Sequence, residues 1–134
     1  MSKGASFKKD LYMIREIEKP KIDFKFLIYK DEKFYYDEEH REYFIETEGG
    51  SKFYFNLEGK FHRIGRPAIN YCDGEKKWKE NGKNHRLDGP AHIYNSNKYY
   101  WINSKHYSEK EFAEETKHLI CKSCGDFCRQ KCFF

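Results

Sequence analysis

Two consecutive stretches of this chain carry the same pattern of residues. GKFHRIGRPAINYCDGEKKW fills residues 59–78, and GKNHRLDGPAHIYNSNKYYW fills residues 82–101; we call them the first and the second repeat. A glycine, a His-Arg pair, a Pro-Ala pair and a tryptophan recur at the offset that separates Gly59 from Gly82. A fixed period of about 20 to 50 residues indicates a repeat architecture. Because repeat proteins present extended surfaces, the pattern favours a binding or scaffold role over a single catalytic pocket.

A degenerate copy precedes the two repeats, and we call it the upstream copy. His40-Arg41 aligns with His62-Arg63, and Phe55 aligns with Trp78. Glu-Tyr-Phe at residues 42–44 replaces the Gly-Pro-Ala element. Terminal repeats drift in sequence because they act as caps. The chain is therefore expected to contain two good copies and one degenerate copy.

Tight turns divide each repeat into two strands. Asp73-Gly74 and Asn81-Gly82 suit type I′ hairpin turns, in which both central residues need a positive φ. Asn95-Ser96 and Asn103-Ser104 fill the same two positions in the second repeat with weaker turn residues. Each repeat is thus predicted to contain two strands of about four to five residues. The predicted fold class is mainly β, a single-layer antiparallel β-meander of hairpin repeats with a short C-terminal helix and a Cys-rich tail.

The His-Arg pairs invite a catalytic interpretation that their repetition disfavours. A general acid or base occurs once per site, whereas these pairs recur with the period of the scaffold. We expect the imidazole and guanidinium groups to hold the connections between repeats by hydrogen bonds to backbone carbonyls. The aromatic residues are expected mainly to pack across strands, with some exposed on a wet sheet face. The candidate binding residues are His62, Arg63, Trp78, His85, Arg86 and Trp101.

The repeated motif resembles a known class of sequence. HRIGRPA and HRLDGPA, each followed by a hairpin turn and a tryptophan, are similar to the MORN-like HRxDGPA repeats of large DNA viruses and some phages. The resemblance covers roughly residues 59–112, and Arg66 departs from it where Gly89 stands in the second repeat. It implies a hairpin-per-repeat β-meander used in membrane-associated or protein-binding scaffolds, and it implies no catalytic residue. A viral structural or accessory protein, in the virion or the host cytoplasm, is the expectation that follows.

Charge is distributed unevenly along the 134 residues. Residues 31–58 carry 3 basic and 9 acidic groups, whereas residues 59–107 carry 10 basic and 4 acidic groups. The basic repeats could bind nucleic acid or anionic lipid head groups. The acidic stretch suggests head-to-tail association of copies of the chain, since a basic patch attracts an acidic one. We divide the chain into a leader and strand at 1–30, a MORN-like repeat domain at 31–107, and a helix and Cys-rich tail at 108–134.

The N-terminal region contains two candidate elements. Residues 11–18 could form a short helix or equally a strand. Residues 23–30 are predicted as a strand with three apolar side chains on one face, Phe24, Phe26 and Ile28. No apolar run approaches the roughly 20 residues needed to cross a bilayer, and the start of the chain lacks the apolar stretch of a secretory signal. A transmembrane segment is therefore not expected.

A capping box follows the last repeat. The sequence from Ser108 to Glu111 allows each of these two side chains to accept a hydrogen bond from the backbone N–H of the other residue. Apolar residues follow at helical spacing, which predicts a helix from about residue 109 to about residue 119. Phe112 and Leu119 would close the open end of the sheet.

The tail carries four of the five cysteines: Cys121, Cys124, Cys128 and Cys132. Four thiolates could hold one structural Zn²⁺ ion tetrahedrally, with His118 as a spare ligand. Only three residues separate the two pairs, whereas structural zinc sites usually leave about ten or more. Disulfides, or reduced or lipidated cysteines, are the alternatives.

The motif inventory points away from catalysis. The sequence contains no phosphate-binding loop, nucleophile elbow, HExxH helix or paired-carboxylate signature. We therefore predict that the protein is not an enzyme. The favoured function is a non-enzymatic β-repeat module that binds a protein partner, or copies of itself, as a scaffold. A nucleic-acid-binding module that uses the basic repeats and a zinc-bound tail is the alternative.

Overall fold

Eleven strands and one short helix make up the described part of the chain. The computed structural model describes residues 13–29 and 31–119. The strands are β1 Ile14–Ile17, β2 Lys33–Asp37, β3 Glu42–Glu46, β4 Lys52–Phe55, β5 Ile69–Asn70, β6 Lys76–Lys77, β7 Lys79–Glu80, β8 Lys83–Asn84, β9 His92–Tyr94, β10 Asn97–Ile102 and β11 Lys105–Tyr107. The helix α1 spans Glu109–Thr116 and continues into a 3₁₀ turn at Lys117–Leu119.

Nine of these strands form one antiparallel sheet. Its order is β1-β2-β3-β4-β5-β6-β9-β10-β11, while β7 and β8 pair with each other in a separate hairpin. The predicted β-meander with a short C-terminal helix is confirmed. The strands of the first repeat are shorter than predicted, with two residues each in β5 to β8. They are short because the chain leaves the main sheet at Trp78 and enters the separate hairpin through β7.

Two-residue turns connect several strands of the repeats. Asn81-Gly82 adopts φ values of 52° and 80°, as a type I′ turn requires. Asn95-Ser96 and Asn103-Ser104 also have positive φ at both residues. These three predicted turns are confirmed, although serine lacks the conformational freedom of glycine in this region.

The prediction of a type I′ turn at Asp73-Gly74 is wrong. Tyr71 N–H donates to Glu75 O at 2.9 Å, and Gly74 N–H donates to Tyr71 O at 3.0 Å. These bonds close a loop of three residues, in which Gly74 has a φ of 98° while Asp73 is not in the left-handed region. A three-residue hairpin loop needs its glycine only at the last position.

Backbone hydrogen bonds relate the second repeat to the first. Ala68 N–H donates to Lys77 O at 2.8 Å, and Ala91 N–H donates to Tyr99 O at 2.9 Å. Because the two alanines belong to matching Pro-Ala elements, Lys77 and Tyr99 are equivalent. The second repeat therefore reaches this position one residue earlier than the sequence offset predicts.

This register changes the alignment of the two tryptophans. Trp78 follows Lys77 and is equivalent to Tyr100, while Trp101 is equivalent to Lys79. The predicted match of Trp78 with Trp101 is therefore wrong by one residue. The cause is the hairpin loop, which has three residues in the first repeat and two in the second.

The upstream copy shares the hairpin of the first repeat. Thr47 N–H donates to Ser51 O at 2.9 Å, and Gly50 N–H donates to Thr47 O at 3.0 Å. The loop at residues 71–75 is closed by the same two bonds. Gly50 therefore corresponds to Gly74.

The alignment of the upstream aromatic residue also shifts by one. Tyr54 N–H donates to Ala68 O at 2.7 Å, as Trp78 N–H donates to Ala91 O at 2.7 Å. Tyr54, rather than the predicted Phe55, is therefore the equivalent of Trp78. The cause is the loop after β4, closed by the bond from Asn56 N–H to Lys60 O at 3.0 Å, which has three residues where the matching Asn81-Gly82 turn has two.

The His-Arg pair of the upstream copy does not match those of the repeats. His40 and Arg41 lie in the tight turn between β2 and β3, where Arg41 is exposed with a φ of 55°. His40 Nδ1 lies 2.9 Å from Asp37 Oδ2. The predicted alignment of this pair is wrong, because Asp37 organises a local turn here instead of a connection between copies.

The main sheet has two differently packed faces, since side chains alternate along each strand. We name as face A the side that carries the buried cluster Phe34, Ile45 and Phe55. Face B is the opposite side, with the cluster Phe44, Tyr54 and Ala68. Ile45 and Phe44 are each 1% exposed, so the upstream copy is packed on both of its faces.

Residues 18–29 lie over face A at the upstream copy, and we call them the covering segment. The Phe24 ring lies 5.2 Å from that of Phe55, and the Phe26 ring stacks on Phe61 at 4.1 Å. The predicted strand at residues 23–30 is wrong, because its described residues pair with no strand. Its predicted apolar side does pack on the core.

Strand β1 and Gly59 hold the covering segment in place. Within residues 11–18, where helix and strand were left open, β1 forms and pairs with β2. Lys25 N–H donates to Gly59 O at 2.7 Å. Gly59 has a φ of 80°, and a Cβ there would collide with the Asp23 carbonyl. The covering segment therefore depends on glycine at this position.

The helix α1 closes the C-terminal end of the sheet. Ser108 Oγ accepts the Glu111 N–H at 3.1 Å, and Glu111 Oε1 accepts the Ser108 N–H at 2.9 Å, which confirms the capping box. The bond from the Ser108 backbone holds the pKa of Glu111 below its ordinary value. Phe112 is buried, with its ring 4.8 Å from that of Tyr100. Leu119 is half-buried at the end of the 3₁₀ turn.

Candidate interaction surface

The arginines of the two good repeats are engaged inside the scaffold. The Arg63 guanidinium lies 3.7 Å from the Tyr54 ring centroid, and that of Arg86 lies 3.9 Å from the Trp78 ring centroid. Each guanidinium also donates through Nη1 to the proline carbonyl of its own repeat, at 3.3 and 3.0 Å. The expectation that these groups hold the connections through backbone carbonyls is confirmed.

Each of these arginines also has a carboxylate partner, but from a different source. Arg86 Nε donates to Asp88 in its own connection at 2.8 Å. The first repeat has a glycine at that position, and Arg63 Nε donates instead to Glu42 of β3 at 3.2 Å. Arg66, where the motif departs from its pattern, reaches the same carboxylate at 3.4 Å. Glu42 thus replaces the missing aspartate.

The histidines bond backbone amides rather than the predicted carbonyls. His62 Nδ1 accepts the Asn81 N–H at 3.0 Å, and His85 Nδ1 accepts the Asn103 N–H at 3.0 Å. A neutral imidazole that accepts at Nδ1 carries its proton on Nε2. Each ring therefore ties one connection to the type I′ turn of the next hairpin, where an N–H rather than a carbonyl is presented.

The predicted binding residues do not come together in one site. Trp78 is 8% exposed, and its Nε1 has no hydrogen-bond partner among the described residues, so the ring serves packing. Trp78 and the His-Arg pairs thus belong to the scaffold, which is formed by face B and the connections between strands. Trp101 instead occupies the position of Phe55 on face A, half-buried, with its ring 5.0 Å from that of His106.

Face A changes its chemistry along the sheet. Cross-strand pairing joins one row of residues on this face: Phe34, Ile45, Phe53, Ile69, Lys77, His92 and Tyr99. The row is apolar where the covering segment lies and becomes basic and aromatic in the repeats. The ring contacts of the covering segment extend only as far as Phe61 among the described residues.

We call the part of face A beyond the covering segment the open half. Its residues are Tyr71, Lys77, Lys79, His92, Tyr94, Tyr99 and Trp101. Tyr94 and Tyr99 are 41% and 38% exposed. At the positions that hold Phe53 and Phe55 in the upstream copy, the first repeat has Lys77 and Lys79. A buried and a half-buried phenylalanine are thus replaced by two lysines, Lys77 on β6 of the main sheet and Lys79 on β7 of the separate hairpin.

The two lysines make the centre of the open half positive. Burial lowers the pKa of Lys79, and the neighbouring charge of Lys77 lowers it further. Lys77 Nζ lies 5.8 Å from the Tyr71 ring centroid. Within the described ranges, the lysines that pair with a carboxylate are Lys25, Lys60 and Lys117. Lys77 and Lys79 therefore form a half-buried pair of like charges that a bound anion would stabilise.

An acidic side chain lies near this pair but is already engaged. Glu75 Oε2 lies 2.7 Å from His92 Nε2, and the His92 ring lies 5.2 Å from that of Tyr99. The carboxylate is therefore directed to the imidazole. Sequence reasoning did not include these three residues among the candidate binding residues, because they lie outside the repeated His-Arg and tryptophan landmarks.

A cluster of possible metal ligands lies at the β2–β3 turn. One ligand atom from each of Asp37, His40 and Glu42 lies within 4.8 Å of the others. Burial raises the pKa of Asp37, but hydrogen bonds from the ring and backbone of His40 outweigh it and leave that pKa lowered. Glu42 is bound by Arg63. These ligand atoms already have protein partners, so the cluster serves as a turn anchor.

A groove of about 550 Å³ lies between the upstream copy and the first repeat, a volume typical of small-ligand sites. The polar groups that line it bond one another. Asn56 Nδ2 donates to Asn81 Oδ1 at 3.0 Å, and His62 accepts the backbone N–H of the same asparagine. The corresponding groove between the two repeats, lined by Trp78 and Arg86, measures about 150 Å³.

Comparisons with known proteins assign no family. The chain matches no protein-family model, no curated protein and no solved structure. The MORN-like resemblance therefore stays a prediction. Within the described ranges, every helix is too short or too polar to cross a membrane.

Some predicted residues lie beyond the described ranges. The candidate zinc ligands Cys121, Cys124, Cys128 and Cys132 are among them, as are residues 1–12. The fifth cysteine, Cys72, is exposed in the loop of the first repeat.

Proposed function

We propose that this protein is a non-enzymatic β-repeat module that binds a protein partner through the open half of face A. The carrying observation is the contrast between the two parts of that face. Over the upstream copy, the face takes up the covering segment, an irregular polypeptide whose half-buried and exposed side chains alternate along residues 21–29. Its equivalent positions in the repeats pair in the same way but carry half-buried lysines and exposed tyrosines where the upstream copy has phenylalanine.

The scaffold around the open half supports this role. The His-Arg contacts fix each connection from within, and α1 closes the last repeat through Phe112. Side chains on strands held in this way are positioned more accurately than side chains on loops. The open half is thus a preformed surface.

A paired set of charge reversals tests the proposal. Lys76 and Lys77 are neighbours on β6, so their side chains face opposite sides of the sheet. Lys98 pairs into the row of Lys76 on face B. We compare Lys77→Glu/Lys79→Glu with Lys76→Glu/Lys98→Glu, which changes the net charge equally, in affinity capture from cell extract by the full chain. The first variant is expected to lose bound proteins that the second retains. Equal retention by both variants contradicts the proposal.

The resemblance of the repeats supports placing this module in a virion or in the cytoplasm of a host cell, as a structural or accessory protein. An antibody against the chain, applied to purified particles and to cytoplasmic fractions, tests this placement. Absence from both fractions argues against it.

A nucleic-acid-binding module is the second candidate, and one observation favours it. Tyr94 and Tyr99 are exposed on the same face as Lys77, and single strands bind to surfaces on which bases stack and cations contact phosphates. Binding of a labelled oligo(dT) that survives about 200 mM salt supports this candidate, since purely electrostatic attachment falls steeply with salt.

A structural Zn²⁺ ion in the tail remains part of the proposal. Its support is the spacing of Cys121, Cys124, Cys128 and Cys132, which offers four thiolates to a tetrahedral ion. Metal analysis of protein purified without added zinc tests it, and a stoichiometry near zero rejects the site.

A further inference from the structure

We infer that the segment bound by the open half is an extended acidic peptide whose carboxylates recur at every second residue. This inference rests on the proposed function and names the chemistry of its partner. Three features of the structure carry it: the charge of the open half, the spacing of its lysines and the manner in which the covering segment lies on the same face.

The positive charge of the open half favours an acidic partner. Lys77 and Lys79 form no ion pair within the described residues, and the tract around them, residues 59–107, carries 10 basic against 4 acidic groups. Two half-buried ammonium groups repel each other, so a carboxylate beside each would relieve the repulsion. The Tyr71 ring, whose centroid lies 5.8 Å from Lys77 Nζ, limits solvent on one side and strengthens such a pair.

The spacing of the two lysines favours a peptide in which acidic residues alternate with other residues. Lys77 and Lys79 are two residues apart, and side chains of an extended chain return to the same side about every 7 Å. Lys77 lies on β6 and Lys79 on β7, on either side of Trp78, so a Glu-x-Glu segment laid along these two strands presents two carboxylates to the two lysines. A segment with adjacent acidic residues would direct one of each pair away from the sheet.

The covering segment shows how a polypeptide lies on this face. Its half-buried side chains alternate in sequence: Ile22, Phe24, Phe26 and Ile28. They pack against the buried cluster that contains Phe55, the equivalent of Lys79, and Phe53, the equivalent of Lys77, packs against the same cluster. Replacement of these two phenylalanines by lysines calls for a partner with carboxylates in place of the apolar side chains. This precedent favours a peptide over a nucleic acid.

A second copy of this chain is less well matched than an acidic peptide. Several carboxylates of the acidic stretch at residues 31–58 are already occupied, with Asp37 bound to the β2–β3 turn and Glu42 bound to Arg63. Glu38 is paired with Arg15. These groups would have to give up existing partners to reach the lysines of another copy.

Fluorescence anisotropy with defined probes tests the inference on the full-length protein. The first probe is a fluorescein-labelled peptide of about twelve residues that alternates Glu and Thr. The second has the same composition with its glutamates in adjacent pairs, and the third is oligo(dT) of similar length. Lys77→Glu is compared with the matched Lys76→Glu, after circular dichroism and urea unfolding show that both variants are folded.

The expected result is binding of the alternating peptide in preference to the paired one. Lys77→Glu should weaken this binding by about tenfold, while Lys76→Glu changes it by less than about threefold. Equal binding of both peptides overturns the inference, as does equal loss in both variants. Binding of oligo(dT) without the peptide assigns the surface to nucleic acid, and salt-sensitive dimerisation removed by Lys77→Glu, without peptide binding, assigns it to a second copy.

The two proposals can fail separately. If neither peptide binds, but Lys77→Glu/Lys79→Glu still removes a captured protein that Lys76→Glu/Lys98→Glu retains, the acidic-peptide inference is wrong and the protein-binding function stands.

Discussion

The upstream copy and the two repeats share backbone hydrogen bonds but are stabilised in different ways. In the upstream copy, large side chains are buried on both faces, among them Phe44, Ile45 and Phe55. In the repeats the buried set is smaller: Ala68, Ile69, Trp78 and Ala91. The copy that looks most degenerate in sequence thus contains the densest core.

The covering segment accounts for this difference. It packs a second layer on the upstream copy, so apolar side chains there gain burial on both faces and need no His-Arg contact at the β2–β3 turn. The repeats are packed mainly on face B, and their polar contacts recur because each connection must be fixed separately. Regularity of sequence therefore marks the region that depends on repeated polar contacts, and irregularity marks the region that depends on apolar packing.

Truncation of a core phenylalanine should give the largest contrast. Phe55→Ala is expected to lower the free energy of unfolding by about 3–5 kcal/mol, because Phe55 is fully enclosed. Trp101→Ala, at the equivalent half-buried position, should cost less than about 2 kcal/mol. Urea unfolding at equilibrium measures both. Equal losses would mean that the open half is as well packed as the covered one.

The two scaffold arginines give the next contrast. Arg63 is 8% exposed and paired with Glu42, whereas Arg86 is 20% exposed. Lysine keeps the charge but loses the planar stack and the forked donors. Arg63→Lys should therefore cost about 2 kcal/mol and Arg86→Lys about 1 kcal/mol. The same unfolding measurement checks the order, and a larger loss for Arg86→Lys would reverse it.

Substitutions at two glycines distinguish the cost of backbone strain from the cost of displacing the covering segment. Both Gly59 and Gly74 have positive φ, but only a Cβ at Gly59 meets another part of the chain. Gly74→Ala should cost about 1 kcal/mol, and Gly59→Ala more than about 2 kcal/mol. Limited trypsin digestion should then cut Gly59→Ala faster after Lys25. Unchanged digestion would show that the segment remains in place.

At two equivalent turn positions, introducing a glycine and removing one should change the stability of the protein in opposite directions. Ser104 has a φ of 70° where Gly82 has 80°. Ser104→Gly removes left-handed strain and should stabilise the protein by about 0.5–1 kcal/mol, while Gly82→Ser should destabilise it by a similar amount. Thermal unfolding of both variants measures the effect. Shifts of the same sign would contradict the equivalence of the two turns.

The smallest effect concerns Lys79, whose pKa is lowered in the folded protein, mainly by burial. Between that lowered pKa and the ordinary value of 10.5, the unfolded chain binds more protons, so this lysine favours folding less at neutral than at alkaline pH. Lys79→Met should therefore stabilise the protein slightly at neutral pH. The advantage over the wild type should shrink as the pH rises towards 10.5. An advantage that is constant with pH would exclude burial of the charge as its cause.

Several parts of the fold could be predicted from local sequence. The turns at Asn81-Gly82 and Asn103-Ser104 and the capping box from Ser108 to Glu111 each depend on two to four neighbouring residues. The meander follows from the order of such hairpins. The errors of alignment came from counting: one extra residue in the loop at Asp73-Gly74 displaced Trp78 relative to Trp101, and one extra residue in the loop after β4 hid the match of the lysine pair with Phe53 and Phe55.

By itself, the sequence determined that this chain folds as consecutive hairpins, because turn chemistry and capping act between near neighbours. Only the tertiary structure decided that residues 18–29 lie across face A without pairing to a strand and that Glu42 accepts a hydrogen bond from Arg63. Those outcomes depend on contacts between residues far apart in the chain, and alternation of apolar residues is the same in a strand and in a segment laid over one. The open half exists because that segment ends where it does, and no local pattern specifies its end.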